Sequence, residues 1–415
     1  MSSERRIILH LGLPKTGTTT IQNVFFMNRD LLLQNRILYP SVASNLTTPL
    51  CTIFQENPSK HIANRMANLT AEEIDSRRRS YLESLDTELS SFAWSTCLLS
   101  AEGVSNLSAS EITKLREWGE KYATNWTILV CVRHPVSYVR SVIQQLMKGG
   151  DTLQQLYSTL PLPNYRGRIS NAISVFGREN VRVFDFESAI AVDGGLIKTF
   201  IERADLPSSL QDSLVSQAVR DNESLSLEAV LILDALNRQR PMFVGGTRSG
   251  RRSGQELAYL SRIRGQKFDV PDHVKRTIRM RTQEDVAWLN ETFELNLYDD
   301  IRTFRPYVEN QEPSGHSDKT LSDPAIDTIA EIISELVTAK TFYCVLEGGR
   351  AALARGDLER AKHMFQEAMR LDPDAQQPRR LLRQVSVRRQ ASSPIPSQGR
   401  RLKLRELLSR VKLRK

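Results

Sequence analysis

Cysteine is scarce in this 415-residue chain: four residues, Cys51, Cys97, Cys131 and Cys344, lie far apart with no C-x-x-C pair. That spacing excludes a cysteine-built zinc site and points to a reducing compartment. Two of the four fall inside apolar runs, where a free thiol packs as a small hydrophobe. No apolar run approaches the roughly 18 to 20 residues of a membrane span, so no transmembrane helix is predicted. The opening MSSERRIILHLGLP lacks a cleavage-site pattern and runs directly into a glycine loop, which reads as a core strand rather than an export signal. A cytoplasmic location is therefore expected. Also missing is the Walker lysine. In GLPKTGTTTIQ (12–22) Lys15 comes before Gly17 and three threonines follow, whereas a Walker loop places its lysine after the second glycine.

What the chain does contain is ordinary globular material, with 40% hydrophobic and 25% charged residues. Its net charge of +9 is unevenly placed. Residues 376–415 carry thirteen Lys and Arg against one Glu, a net of +12, which leaves the remainder at −3. The basicity belongs to the tail, where Leu404, Leu407, Leu408 and Val411 share one helical face among Lys and Arg. Such a segment suits peripheral contact with an anionic membrane, a disordered solubilising tail being the other reading. No nucleic-acid partner is expected.

RRIILHLGL (5–13) predicts a buried strand, and residues 18–35 carry apolar residues at helical spacing, so 12–17 is a strand-to-helix turn. A helix N-terminus offers unpaired amides and partial positive charge, and glycine lets backbone approach an anion. RILYPS (36–41) predicts a short strand. Residues 42–70 show little periodicity and are expected to form a substrate-facing excursion, before a charged amphipathic helix over 71–92. TCLLSA and WTILVCV flank a helix whose Ser108 and Glu111 have capping-box spacing. Strand, helix and strand with continuous apolar runs imply a parallel sheet covered on both faces. From about 222 to 300 the pattern is mainly helical, broken by a Gly/Arg/Ser loop at 241–255. The expected divisions are a domain over 1–309, a linker over 310–320, a helical region over 321–388 and the tail over 389–415. Within the helical region Ala361, Phe365, Ala368 and Pro373 have the spacing of one tetratricopeptide repeat after Gly356. One repeat cannot bury its own face, so it is expected to dock on the preceding helices or on a second copy of the chain.

The chemistry concentrates at strand ends. ILVCVRHPVSYVRS turns at His134-Pro135 from strand to helix, placing Arg133 at the strand's carboxyl end and Ser141 about two turns along. Ligands of open α/β sheets sit beyond those ends, and an Arg fork with a hydroxyl suits phosphate oxygens. Glu102, just past an apolar strand in SAEG, is the first choice for a general base. His10 reads as a satisfied core histidine, His134 as part of the Arg-His-Pro turn, and His61 as a rival base. Arg248, Arg251 and Arg252 read either as a solvated loop or as anion contacts.

These residues resemble the sulfotransferases that use 3′-phosphoadenosine-5′-phosphosulfate. PKTGTTTIQ is similar to their 5′-phosphosulfate loop, and RHPVSYVRS to their 3′-phosphate motif. LLSAEG and RILYP are similar to bacterial carbohydrate-type members, the likeness spanning about residues 6–305. The resemblance implies a P-loop-type three-layer α/β fold with a central parallel sheet, here followed by a small helical region. It implies donor contacts from Pro14, Lys15, Thr16, Gly17, Thr18, Thr19, Arg133 and Ser141, with Arg251 of RSGRRSG as the candidate in a third loop. Lys15 and Glu102 would be catalytic, no metal would be required, and the acceptor would be a glycan or glycolipid. The alternatives are a P-loop nucleotide kinase and a catalytically degenerate adaptor built on the repeat.

Overall fold

The computed structural model describes residues 5–67, 69–218, 224–244, 247–248, 252–297 and 323–392. The expected linker at 310–320 and the tail beyond Ser392 lie outside them. The described chain forms two compact units. The first holds 1–146, 153–224 and 267–317, and the second holds 147–152, 225–266 and 318–415. This division differs from the expected boundary at 309, because residues 225–266 group with the C-terminal helices and not with the sheet.

The first unit is built on a parallel sheet of strands β1 (Arg6–Leu11), β2 (Ile37–Leu38), β3 (Thr96–Ala101), β4 (Asn125–Val132) and β5 (Val181–Asp185), in the order β2-β3-β1-β4-β5. The strand expected over 36–41 shortens to Ile37–Leu38. All of β3 is buried, as is all of β4 after Asn125, so both faces are covered and the apolar runs need no alternation. Ile7, Leu9 and Leu11 point to one face, where they meet the helices Thr47–Phe54, Ala71–Ser91, Ala109–Gly119, Tyr165–Phe176 and Asp272–Phe293. Ile8 points to the other and meets the helices Thr18–Met27 and Gly195–Arg203. The three-layer α/β expectation holds.

The stretch 42–70, expected to be irregular, folds into the helix Thr47–Phe54, a short 3-10 turn and the helix Ile62–Met66. Leu46, Leu50, Cys51 and Phe54 join the core of that layer, so tertiary burial overrides weak periodicity. The capping box predicted at Ser108 and Glu111 forms, and a second one closes on Thr70 and Glu73.

The second unit is helical apart from a two-stranded ribbon, Phe243–Val244 with Thr247–Arg248. Its helices are Leu227–Gln239, Glu256–Leu260, Asp323–Arg355, Leu358–Leu371 and Gln376–Ser392. Gly356, at φ 83°, makes the tight turn into Leu358–Leu371, whose Ala361, Phe365 and Ala368 are fully buried. Phe365 packs with Leu346, Leu353 and Val385. The motif's apolar face is therefore covered by the helices on either side of it in the same chain.

Candidate active site

Parallel pairing brings the carboxyl ends of β1, β3 and β4 to one edge of the sheet. Leu11 registers with Ala101, which sets Gly12 beside Glu102 by topology alone. A Cβ built on Gly12 would lie 2.7 Å from Thr18 Cγ2 and 3.0 Å from Glu102 Cγ. Only glycine admits this approach of loop, helix start and carboxylate. Gly12→Ala is expected to cost roughly 1 to 3 kcal/mol, as overpacking does, seen as a lower urea midpoint at unchanged slope. An unchanged midpoint would mean that Thr18 and Glu102 move aside freely.

The loop then winds through two left-handed positions, Lys15 at φ 65° and Gly17 at φ 73°. Glycine adopts this conformation readily and lysine does not, so the strain falls on the residue expected to be catalytic. A Cβ on Gly17 would also come within 2.3 Å of Leu196 Cδ2. Ile21 N–H reaches Gly17 O at 3.2 Å and opens the helix Thr18–Met27. The amides of Thr18, Thr19 and Thr20 thus have no intrahelical acceptor. The helices Ala71–Ser91 and Ala109–Gly119 close their N-termini with capping boxes. The helix Thr18–Met27 has neither a side-chain cap nor an acidic residue in its own first turn, and its positive end faces the loop, with the Glu102 carboxylate beside Thr18.

The threonines divide their work. Thr16 Oγ1 donates to Leu13 O at 2.7 Å and Thr18 Oγ1 to the same carbonyl at 3.2 Å, both residues being buried. The Thr18 hydroxyl, expected to cradle an anion, instead braces the loop from within, while Thr19 is exposed. Pro14 is half-buried at the loop's shoulder.

Glu102 lies on the β3 side. Burial is the largest influence on its carboxyl and raises its pKa, while the Thr18 hydroxyl and Lys15 ammonium partly offset the shift. Its carbonyl takes the Ser105 hydroxyl at 2.8 Å, and the next amide, of Gly103, donates to Thr47 Oγ1 at 3.0 Å. The start of the helix Thr47–Phe54 therefore lies beside Glu102.

Arg133 lies on the β4 side. Its Nη1 donates to Lys15 O at 2.8 Å and its Nε to Ser137 Oγ at 3.0 Å. Nε also pairs with Glu187 Oε1 at 3.4 Å, and the guanidinium stacks 4.8 Å from the Phe186 ring centre. Glu187 Oε2 accepts the His134 amide at 3.0 Å, which ties the Arg-His-Pro turn to this ion pair. The remaining terminal nitrogen of Arg133 makes no bond within the described residues. Ser141 is half-buried, one helical turn beyond Ser137 on the same face. The two motifs, separated by 118 residues, share one hydrogen bond.

Several sequence candidates fall elsewhere. His10 is fully buried, with Nδ1 2.8 Å from Ser100 Oγ and its ring edge-on to Phe200. Burial pushes its pKa down to about 3, so it is a neutral core histidine and not a base. His61 takes the N-cap position of the helix Ile62–Met66 and is half-buried, and burial lowers its pKa. Arg251 lies outside the described residues. Arg252 is 3% exposed, within 3.7 Å of the equally buried Glu256 and bonded to Asn237 Oδ1. It is neither solvated nor presented to an anion. Among the described residues no cluster of His, Cys, Asp and Glu could hold a metal.

Glu187 went unread in the sequence. It reads there as an ordinary acidic residue in the first turn of the helix Phe186–Ala191, and only the pairing of β4 with β5 brings it to Arg133.

No protein-family model and no curated protein matches the chain. Among solved structures it is similar to a sulfotransferase from Alicyclobacillus acidocaldarius at 13% identity, over 56% of this chain and 92% of that one, with a TM-score of 0.33. It is also similar to a sulfotransferase domain from the curacin biosynthetic pathway at 11% identity, over 68% of this chain and 97% of that one, with a TM-score of 0.31. Likeness at this level decides nothing about the reaction, and the side chains of the site have to carry the functional reading.

Proposed function

We propose that the chain is a sulfotransferase that moves a sulfuryl group from 3′-phosphoadenosine-5′-phosphosulfate to a hydroxyl or amine of a carbohydrate-containing acceptor, a glycan or glycolipid. The observation that carries this reading is the Arg133 bond to the Lys15 carbonyl, which holds a partly open guanidinium beside an uncapped helix N-terminus. Two anion-binding elements at one strand edge suit a ligand with phosphate groups at both ends. The donor supplies, when bound, an already activated sulfuryl group, so the protein's task is positioning and charge compensation.

The amides of Thr16 to Thr19 would hold the 5′ end, and Arg133 with Ser141 the 3′-phosphate. Lys15 would offset charge developing on the oxygen that leaves sulfur. Glu102 takes the acceptor's proton on its carboxylate, and the burial that raises its pKa makes it a better base. The carbohydrate class of acceptor rests on the resemblance of LLSAEG and RILYP.

Ligand-dependent melting tests the reading. Adenosine 3′,5′-bisphosphate at about 100 times its dissociation constant is expected to add roughly 2.7 kcal/mol to folding stability, and ATP with Mg²⁺ much less. Equal or greater stabilisation by ATP would replace this reading with a nucleotide kinase.

A further inference from the structure

The helix Asp323–Arg355 is 33 residues long and carries two apolar faces. Ile326, Ala330, Ser334 and Val337 are buried on the face that packs against the helix Leu227–Gln239. Turned well away from that face, Ile329, Ile332, Leu336, Ala339 and Tyr343 recur at steps of three, four, three and four. Ile332, Leu336 and Tyr343 are 50%, 66% and 64% exposed, and Ala339 is exposed as well. Alternating steps of three and four are the a and d positions of a heptad seam, the pattern by which two helices wind together. Among the described residues the middle of this seam is left largely to solvent, with Ile332, Leu336 and Tyr343 at least half exposed.

The charges beside the seam say what covers it. With Ile329 at a, Glu335 falls at g and Lys340 at e. In a parallel pair, g of one helix faces the e that lies five residues further along in its partner. Glu335 then meets Lys340 of a second copy, and two-fold symmetry makes the contact twice. An antiparallel pair would set Glu335 against Glu335 and Lys340 against Lys340. The side chain of Glu335 is 63% exposed while bonded to Arg240, and Lys340 donates to Tyr259 Oη at 3.0 Å, so both groups sit at the surface with their charge outward.

We propose that the chain self-associates through residues 329–343 as a parallel two-stranded coiled coil, each copy covering the other's seam. Fifteen residues span about 22 Å of helix, a short seam, so the association is expected to be weak and strongly concentration-dependent.

Sedimentation velocity of the full chain between about 1 and about 200 μM tests this. A monomer–dimer equilibrium is expected, and Leu336→Glu should weaken it at least about tenfold by placing a charge in the seam. Glu335→Lys and Lys340→Glu should each weaken dimerisation, and the double exchange should restore it. Arg240 is a check on the alternative, because Glu335→Lys repels it equally in the single and the double variant, so loss of that intrachain pair cannot account for rescue. Melting temperatures near that of the parent chain confirm that the variants fold. A chain that stays monomeric throughout, a Leu336→Glu variant that dimerises unchanged, or a double exchange without rescue would each overturn the proposal.

Discussion

Glu102→Gln is expected to lower turnover by ~10² to 10⁴ while leaving adenosine 3′,5′-bisphosphate affinity nearly intact, because a carboxamide keeps the shape but cannot take a proton. The structure adds a signature that distinguishes a base from a structural carboxylate. Burial raises the Glu102 pKa above its ordinary value, so the folded state binds its proton more tightly than the unfolded chain does. The stability this contributes is complete below the unfolded pKa and is lost as pH rises through the folded one. Glu102→Gln removes that penalty, so the variant should melt higher than the parent near pH 7 and show little difference near pH 4. Activity of the parent should rise with pH through the same raised pKa, and the variant's residual activity should not. A variant with parental turnover would remove Glu102 from the chemistry.

Arg133→Ala should weaken bisphosphate binding by ~1.5 to 3 kcal/mol, the scale of a hydrogen bond to a charged group, which is roughly 10- to 150-fold in dissociation constant. The ion pair complicates the reading, since the substitution also strips Glu187 of its partner and leaves a half-buried carboxylate near the anion site. Arg133→Ala combined with Glu187→Gln separates the two effects. If repulsion from Glu187 contributes, the double variant recovers part of the affinity; if only the lost fork matters, it equals the single. Lysine at 133 should not substitute, because it cannot reach Lys15 O, Ser137 and an anion together from one planar group. Titration calorimetry decides it, and an unchanged dissociation constant for Arg133→Ala would remove the two-ended ligand from this site.

The parts of the site legible in the sequence were those whose signals are local. A strand running into G-L-P-K-T-G and then into helical spacing fixes the loop within about a dozen residues, and Ser108 with Glu111 announces a cap over four. Glu102 and Arg133 could be placed because each ends an apolar strand, and parallel strands end on one edge. What stayed hidden depends on which strands are neighbours. Glu187 acquires its role from pairing across 54 residues. Arg252 belongs to a buried ion pair with Glu256, although Arg/Gly/Ser composition looks solvated. The Thr18 hydroxyl turns inward because Leu13 O is within reach, a matter of loop geometry that residue type does not express. The grouping of 225–266 with the C-terminal helices is likewise a matter of long-range packing.

The sheet order also shapes how the chain comes into being. β1 lies at its centre, yet its neighbours are made much later: β3 pairs with it across 90 residues, and β4 is synthesised later still. At about 5 to 20 residues per second, the ribosome leaves Ile7, Ile8, Leu9 and Leu11 without their neighbouring strands for roughly 5 to 18 s. The central strand of the sheet, buried from Ile7 to Leu11 in the mature molecule, thus waits longest for its strand neighbours during synthesis, a natural client for a chaperone that shields apolar strands.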